Sequence, residues 1–406
     1  MSILLHKIKA SSLVSTLILS LVLLITASLL LLSVYYFRYF KIKEAADSRL
    51  NDNISSGIEF ILSDTLIMSQ PFIDSFELFK GQPDSLFYTQ ELWGCIPLAG
   101  IKVTYKGKSK STAMFYGSSN YQYSDACLYL TDHDRPLSVT GDTYIQGKAY
   151  LPKSGLRSGF FGQQGFSRKQ LIDGEIASSQ KKLPALNPAY LENVKFLESL
   201  INDTIRKFEH LPSDSLIHSF ILSARYIKLN KLGLIGNSSI TGKFILVSDS
   251  VIDVSPGAEI SDIILLAPYI RFRQGFHGAI QAFALDSITV EDECHLYYPS
   301  ALTAIGRNSI SGSTGGVMYI KENTIVEGMV FGLATEQSSN IKPVIKIAKN
   351  AIVKGLLYNT GYTYLNGKVE GAVFTDFFFE QRGPMSIENI LVDAAILQSK
   401  WFTTGN

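Results

Sequence analysis

The chain has 406 residues, with 37 basic against 36 acidic side chains, 46% apolar residues and 18% charged ones. That apolar share can offset the entropy of ordering, which excludes disorder over most of the length. A net charge of +1 supplies no global field for nucleic acid, so no nucleic-acid partner is expected.

The length suggests two or three domains. The three cysteines fit neither a disulfide-dense scaffold nor a zinc pattern. No Gly-x-Ser-x-Gly elbow, P-loop or His-Glu-x-x-His is present, and no cofactor or metal is expected.

After a short tail, 1–9, the segment 10–37 has 28 consecutive uncharged residues rich in Leu, Ile and Val. A helix of that length more than covers a hydrocarbon core of about 30 Å. Lys7 and Lys9 precede it, and Arg38, Lys41 and Lys43 follow. Tyr35, Tyr36, Phe37, Tyr39 and Phe40 form an aromatic belt at its second boundary. A signal peptide has a shorter apolar region and a small-x-small cleavage site, so an uncleaved single-pass anchor in membrane lipid is expected. The expected orientation leaves the N-terminus in the cytoplasm and the large domain outside it, periplasmic or on the surface. Ser12, Thr16 and Ser20 recur every four residues. This small hydroxyl stripe suits a second helix in the membrane, or bonds back to its own helix carbonyls.

Through 38–62, apolar or small residues at Ile42, Ala46, Leu50, Ile54, Ile58 and Ile61 trace one helical face. Span and stalk then form one helix of about 50 residues, roughly 75 Å long. A hydrophobic N-terminal helix continuing into an amphipathic one before a β-rich head resembles type IV minor pilins and pseudopilins. The resemblance implies processing after a small residue, a place that Ala10 fills. Ser15 stands where that family carries Glu.

Residues 63–135 read as a small mixed α/β domain, with strands near Gly100–Tyr105, Thr112–Tyr116 and Cys127–Leu130. Cys95 and Cys127 are a possible disulfide in an oxidising compartment. In 136–214, Gly141 and Gly147 mark a first coil edge, followed by the glycine-rich loop Gly155–Gly165 and a helix over Asn187–His210. The loop's Phe160, Phe161 and Phe166 suit packing, or a sugar or partner surface.

From 215 to 395, short β-branched runs repeat an Ile/Val-x-Gly-x-apolar pattern at Gly242, Gly328, Gly355 and Gly371. They read as a right-handed parallel β-solenoid ahead of a tail, 396–406. This part resembles bactofilin-like and pectate-lyase-like proteins, and a β-sandwich is the competing fold. The fold class expected is thus mainly β with a long N-terminal helix. Phe374, Phe377, Phe378 and Phe379 are expected to cap the stack.

Glu291, Glu293 and His295 are the best catalytic candidates, because alternate strand residues share a face and acidic clusters serve lyases and hydrolases. Asp132–His133–Asp134 and the trio Asp249, Asp253 and Asp262 are weaker candidates. Each cluster reads more readily as structural, a solvated edge or a turn. Two functions follow. The first is a non-catalytic envelope protein in adhesion or assembly, including a pilus- or secretion-associated role. The second is an anchored carbohydrate-active enzyme. The partners implied are an envelope assembly or a glycan.

Overall fold

The computed structural model describes residues 10–63, 72–77, 83–117, 123–203, 206–210, 215–309, 312–334 and 342–399. The protein is mainly β with one long N-terminal apolar helix, α1 (Ala10–Ser63). The tail 1–9, Ile205 and residues 400–406 lie outside the described residues.

The chain divides into two compact units. The first comprises Met1–Asp64, Ile73–Tyr88 and Ile101–Thr112, and the second comprises Thr65–Phe72, Thr89–Gly100 and Ala113–Asn406.

In the first unit, α1 runs unbroken through the membrane-length segment and the stalk. Among its described side chains every residue from Leu13 to Ala45 is exposed. One face is then buried, at Ala46, Leu50, Asn53, Gly57 and Ile61. The spacing is helical, but this face is rotated from the expected one. Ile42 is exposed, and Ile54 and Ile58 are only half-buried. The reason is polar: Asp84 is fully buried, and it accepts from Arg49 at 2.8 Å and Asn53 at 2.9 Å. Satisfying that carboxylate turns Asn53 inward. Gly57 follows on the same face because a Cβ there would strike Leu86.

The region 63–135 has no helix after α1 among the described residues. Its described residues after α1 form strands Phe72–Glu77, Asp84–Trp93, Ile96–Tyr105 and Lys108–Phe115, which make a four-stranded sheet in that order. Ala126–Leu130 belongs to a different sheet.

In the second unit, long strands pair in parallel with strands from other stretches of the chain, and the strand order closes on itself like a barrel. Aliphatic side chains stack in register. One column reads Ile227, Leu246, Leu265, Ala282, Leu302, Val330, Leu357 and Val373. A second reads Ile235, Val254, Phe272, Val290, Ile320, Ile347 and Leu365. All are buried in one continuous core, each large one contributing about 1.5–3 kcal/mol.

The Gly328, Gly355 and Gly371 repeats fall directly on one another. Their φ values are +138°, +146° and +152°, and a Cβ at each would meet the carbonyl oxygen of the residue beneath. The Ile/Val-x-Gly-x-apolar pattern thus records a corner where two backbones touch.

The strands within 126–178 do not precede the parallel array. Leu128 pairs with Val373, and Ile145 with Ile396. Strand Lys148–Leu151 lies on Ala126–Leu130, and Ile176–Ser178 lies on Lys148–Leu151. The earliest strands of this sheet therefore add onto its last ones. Ala395–Leu397 is a strand of the same array rather than a tail.

The chain then passes through helix α2 (Pro188–Ile201), shorter than expected. Asn187 caps its start by accepting from the Ala189 N–H at 3.0 Å. Asn202 is its C-cap, and Glu209–His210 is already strand. Its buried side includes Val194, Leu197, Leu200 and Ile201, while Leu191 is exposed. These residues pack with Trp93, Phe283, Phe331 and Phe374 in a second core.

Candidate functional site

The second unit's parallel strands carry outward columns beside the aliphatic ones, and sequence alternation assigns them. The set containing Val247, Leu266, Phe283, Phe331, Tyr358 and Phe374 is covered by α2 and the turn around Gly94. Gln281 anchors that turn: its amide donates to Trp93 O at 2.7 Å and accepts from Cys95 N–H at 2.8 Å. Cys95 Sγ lies 3.6 Å from Thr303 Oγ1. Cys127 is buried in the aliphatic core, in a different cluster. The disulfide that the sequence left possible is not formed, and Cys95, Cys127 and Cys294 are free and buried. Burial pushes the thiols of Cys95 and Cys127 up to about 12.

The acidic candidates are spread over two outward columns: Asp253 shares one with Arg271, the partner of Glu291, and His295 shares another with His277. Glu291–Cys294 is a corner between strands His277–Val290 and His295–Ser309, not a strand. Glu293 has φ +60° there, so the alternation that would align Glu291, Glu293 and His295 is broken. Cys294 fixes the corner by turning into the core. Glu291 is held by Lys321 and, at 2.9 Å, by Arg271. Glu293 accepts from Gln274 at 3.2 Å, and His295 Nε2 lies 3.2 Å from Glu327. Glu327 also pairs with Lys354 at 3.0 Å.

Burial pushes the Glu291 carboxyl up, but Lys321 and then Arg271 outweigh it and hold it below its ordinary value. Because folding favours the ionised form, this contribution is complete above the usual value of 4.5. It fades as pH falls below that value through the folded one. Glu291→Gln should therefore cost about 1 kcal/mol at pH 7, with the gap from wild type narrowing as pH is lowered below 4.5. Denaturation midpoints across that range check this; an undiminished gap at low pH contradicts it.

The weaker candidates are also engaged separately. Asp132 Oδ1 accepts from Asp134 N–H at 2.9 Å, His133 stacks on Phe377 and reaches Asp376 at 2.8 Å, and Asp134 pairs with Lys181 at 3.1 Å. Asp249 pairs with Lys228 and Asp253 with Arg273, while burial raises the Asp262 carboxyl. Among the described residues, no group of three or more His, Cys, Asp or Glu is placed to hold a metal ion.

Thr16 Oγ1 donates to Leu13 O and Ser20 Oγ to Leu17 O, each at 2.9 Å. The Ser12 side chain lies outside the described residues. Phe161 packs inside with Ile390 and Val392, whereas Phe160 is exposed.

The continuation of the column that holds Asp253 and Arg271 was missed in the sequence. Strands Val317–Ile320, Val344–Ile347 and Ile352–Leu365 are paired so that Tyr319, Lys346 and Tyr364 stand side by side. Each strand alternates: Met318, Ile345 and Thr363 point inward, and their neighbours point out. The Lys346 ammonium lies over both rings, 5.3 Å from Tyr319 and 4.7 Å from Tyr364. The aromatic surface continues through Phe379, 5.1 Å from Tyr364, to Tyr362 and Phe377. The run expected to cap the stack thus splits: Phe374 and Phe378 are buried, and Phe377 and Phe379 face outward. Beside these rings is an open groove of about 450 Å³, also lined by Asn366, Glu380 and Gln381. A second groove, about 640 Å³, is lined by Glu259, His277 and Tyr297.

Comparison with protein-family models, with curated proteins and with solved structures finds no match to the chain. Among the described residues one helix is long and apolar enough to cross a membrane.

Proposed function

We propose that the protein is a single-pass, membrane-anchored envelope protein whose β-solenoid head is non-catalytic and presents binding surfaces. The observation that carries this reading is α1. Its segment from Leu13 to Phe40 exposes Leu, Ile, Val and aromatic side chains on every face. An all-round apolar helix is stable in lipid rather than water.

The solenoid assignment is supported by parallel columns whose neighbours lie about one coil apart, around an aliphatic interior that no coil buries alone. A non-catalytic role is supported by Glu291. A carboxylate held ionised by two cations is ill-suited to donate a proton near neutrality. A head held outside the cytoplasm by a stiff stalk suits adhesion, scaffolding or assembly. A pilus- or secretion-associated component is the more specific form.

The anchor is tested by carbonate extraction of membranes. The full chain should stay in the membrane pellet. The double variant Leu21→Arg/Leu24→Arg carries an insertion cost of about 2.5–3.5 kcal/mol per arginine and should move to the soluble fraction. Release of the unaltered chain by carbonate would overturn the reading.

A further inference from the structure

The outward side of strands Ser239–Gly242, Glu259–Phe272 and His277–Val290 starts with two neighbouring columns of unequal height. Thr241, Ser261 and Ala279 stand side by side in one, and their small side chains leave a trough. Glu259 and His277 come two residues before Ser261 and Ala279, so alternation puts them on the same face as a taller wall. Tyr297 and the corner at 256–258 complete the groove of about 640 Å³.

Among the described residues that line it there is one carboxylate, Glu259, and no lysine or arginine. Other carboxylates of the array have cations from the same chain: Asp253 has Arg273, Glu291 has Lys321, and Glu327 has Lys354. Glu259 has none among the described residues, and it is exposed. Beside it, the rings of His277 and Tyr297 lie 6.3 Å apart with their planes 24° from parallel. Tyr297 is braced by His295, 4.3 Å away. Asp262 takes up the Ser261 hydroxyl, while those of Ser239 and Thr241 line the groove with no described partner.

We propose that this groove docks an arginine-bearing segment of a partner protein, with the guanidinium on Glu259. The carboxylate accepts two parallel N–H bonds from the guanidinium. An aromatic ring of His277 or Tyr297 takes its flat face, and the remaining N–H groups reach the hydroxyls. Ile217, 84% exposed and in register with Thr241 on the next strand, is an aliphatic ledge for the arginine's neighbour in that segment.

The ligand class follows from what the groove lacks as well as from what it holds. One carboxylate cannot supply the roughly six to eight oxygens that a calcium ion takes. A lysine ammonium neutralises Glu259 but has no plane to lay on the rings. A neutral glycan uses the rings and hydroxyls but leaves the Glu259 charge uncompensated as water is expelled. An acidic chain is repelled by it. The volume falls in the range of about 300–1,000 Å³ for ligand sites, which admits a short segment rather than one side chain.

This inference names the kind of partner met by the head proposed above and rests on that reading. The test uses the full chain in nanodiscs of zwitterionic lipid, with a fluorescent, end-capped peptide that has arginine between two leucines. Three altered peptides replace the arginine: citrulline keeps its shape without the charge, lysine keeps the charge without the plane, and glutamate reverses the charge. The arginine peptide should bind at least tenfold more tightly than the citrulline and glutamate peptides, and at least threefold more tightly than the lysine one. Glu259→Gln should weaken its binding at least tenfold, and Tyr297→Ala at least threefold. Glu370→Gln, which removes a carboxylate paired with Lys368 farther along the array, should change it less than twofold.

Glu259 is at the surface, so its variant keeps the test decisive even where Tyr297→Ala is destabilised. Citrulline or lysine peptides that bind as well as arginine, unchanged binding by Glu259→Gln, displacement of the peptide by neutral dextran, or no binding at all would overturn the inference. None of these would touch the anchored, non-catalytic reading. A peptide held through Glu259 and also cleaved would support the site and overturn that reading instead.

Discussion

Replacing Gly355 with alanine should lower the stability of the β-rich unit by about 3–5 kcal/mol, the sum of a strained backbone and an overpacked contact. Gly355 has φ +146°, and its missing Cβ leaves room for the carbonyl of Gly328. On its other side, the Gly355 carbonyl occupies the space a Cβ on Gly371 would need. No side-chain rotation can relieve the clash, because both partners are backbone. Gly117→Ala is the matched control: nothing lies within 4 Å of its Cβ position, so its effect should stay within about 0.5 kcal/mol. Denaturant midpoints of the detergent-solubilised chain measure both. Equal midpoints for the two variants would mean that the glycine column is not a backbone contact.

Val373→Asp should cost about 3–5 kcal/mol, because it buries a carboxylate with no cation facing it. Its location makes the consequence distinctive. Val373 is fully buried, with Leu357 on one side and Leu128 on the other. Residues 126–178 reach the array through this junction and the neighbouring strand Ala395–Leu397. Hydrogen exchange in Val373→Asp should therefore accelerate in Ala126–Leu130 and Lys148–Leu151, more than two hundred residues earlier. Phe244–Val247 and Glu259–Phe272, at the far end of the column, should keep their protection. Loss of protection confined to residues 357–382 would contradict the order of strands.

How much of this was legible in the sequence depended on the range of the interaction. The apolar run 10–37 and the helical spacing through Ile61 are local, and they gave α1 nearly whole. The rotation of its buried face was not legible, because it depends on Asp84 claiming Arg49 and Asn53 across the fold. The Ile/Val-x-Gly-x-apolar runs around Gly328, Gly355 and Gly371 were visible. Their irregular spacing hid the fact that the glycines coincide in space.

The placement of residues 126–178 beyond the last strands had no local signature at all. Their alternation is equally compatible with stacking before Phe244 or after Val373. The acidic cluster failed for a specific reason. The strand ends at a corner, with Glu293 at φ +60° and Cys294 in the core. Tyr319, Lys346 and Tyr364 each looked like an ordinary outward strand residue. Only parallel pairing of three separate segments makes them a surface.

The most direct test of the account is the exposure of the head across the membrane. A tag after Asn406 should be cut by protease only when the outer compartment of intact cells is opened osmotically, with the chain at full length beforehand. A tag protected both before and after opening would place the head in the cytoplasm and contradict the account.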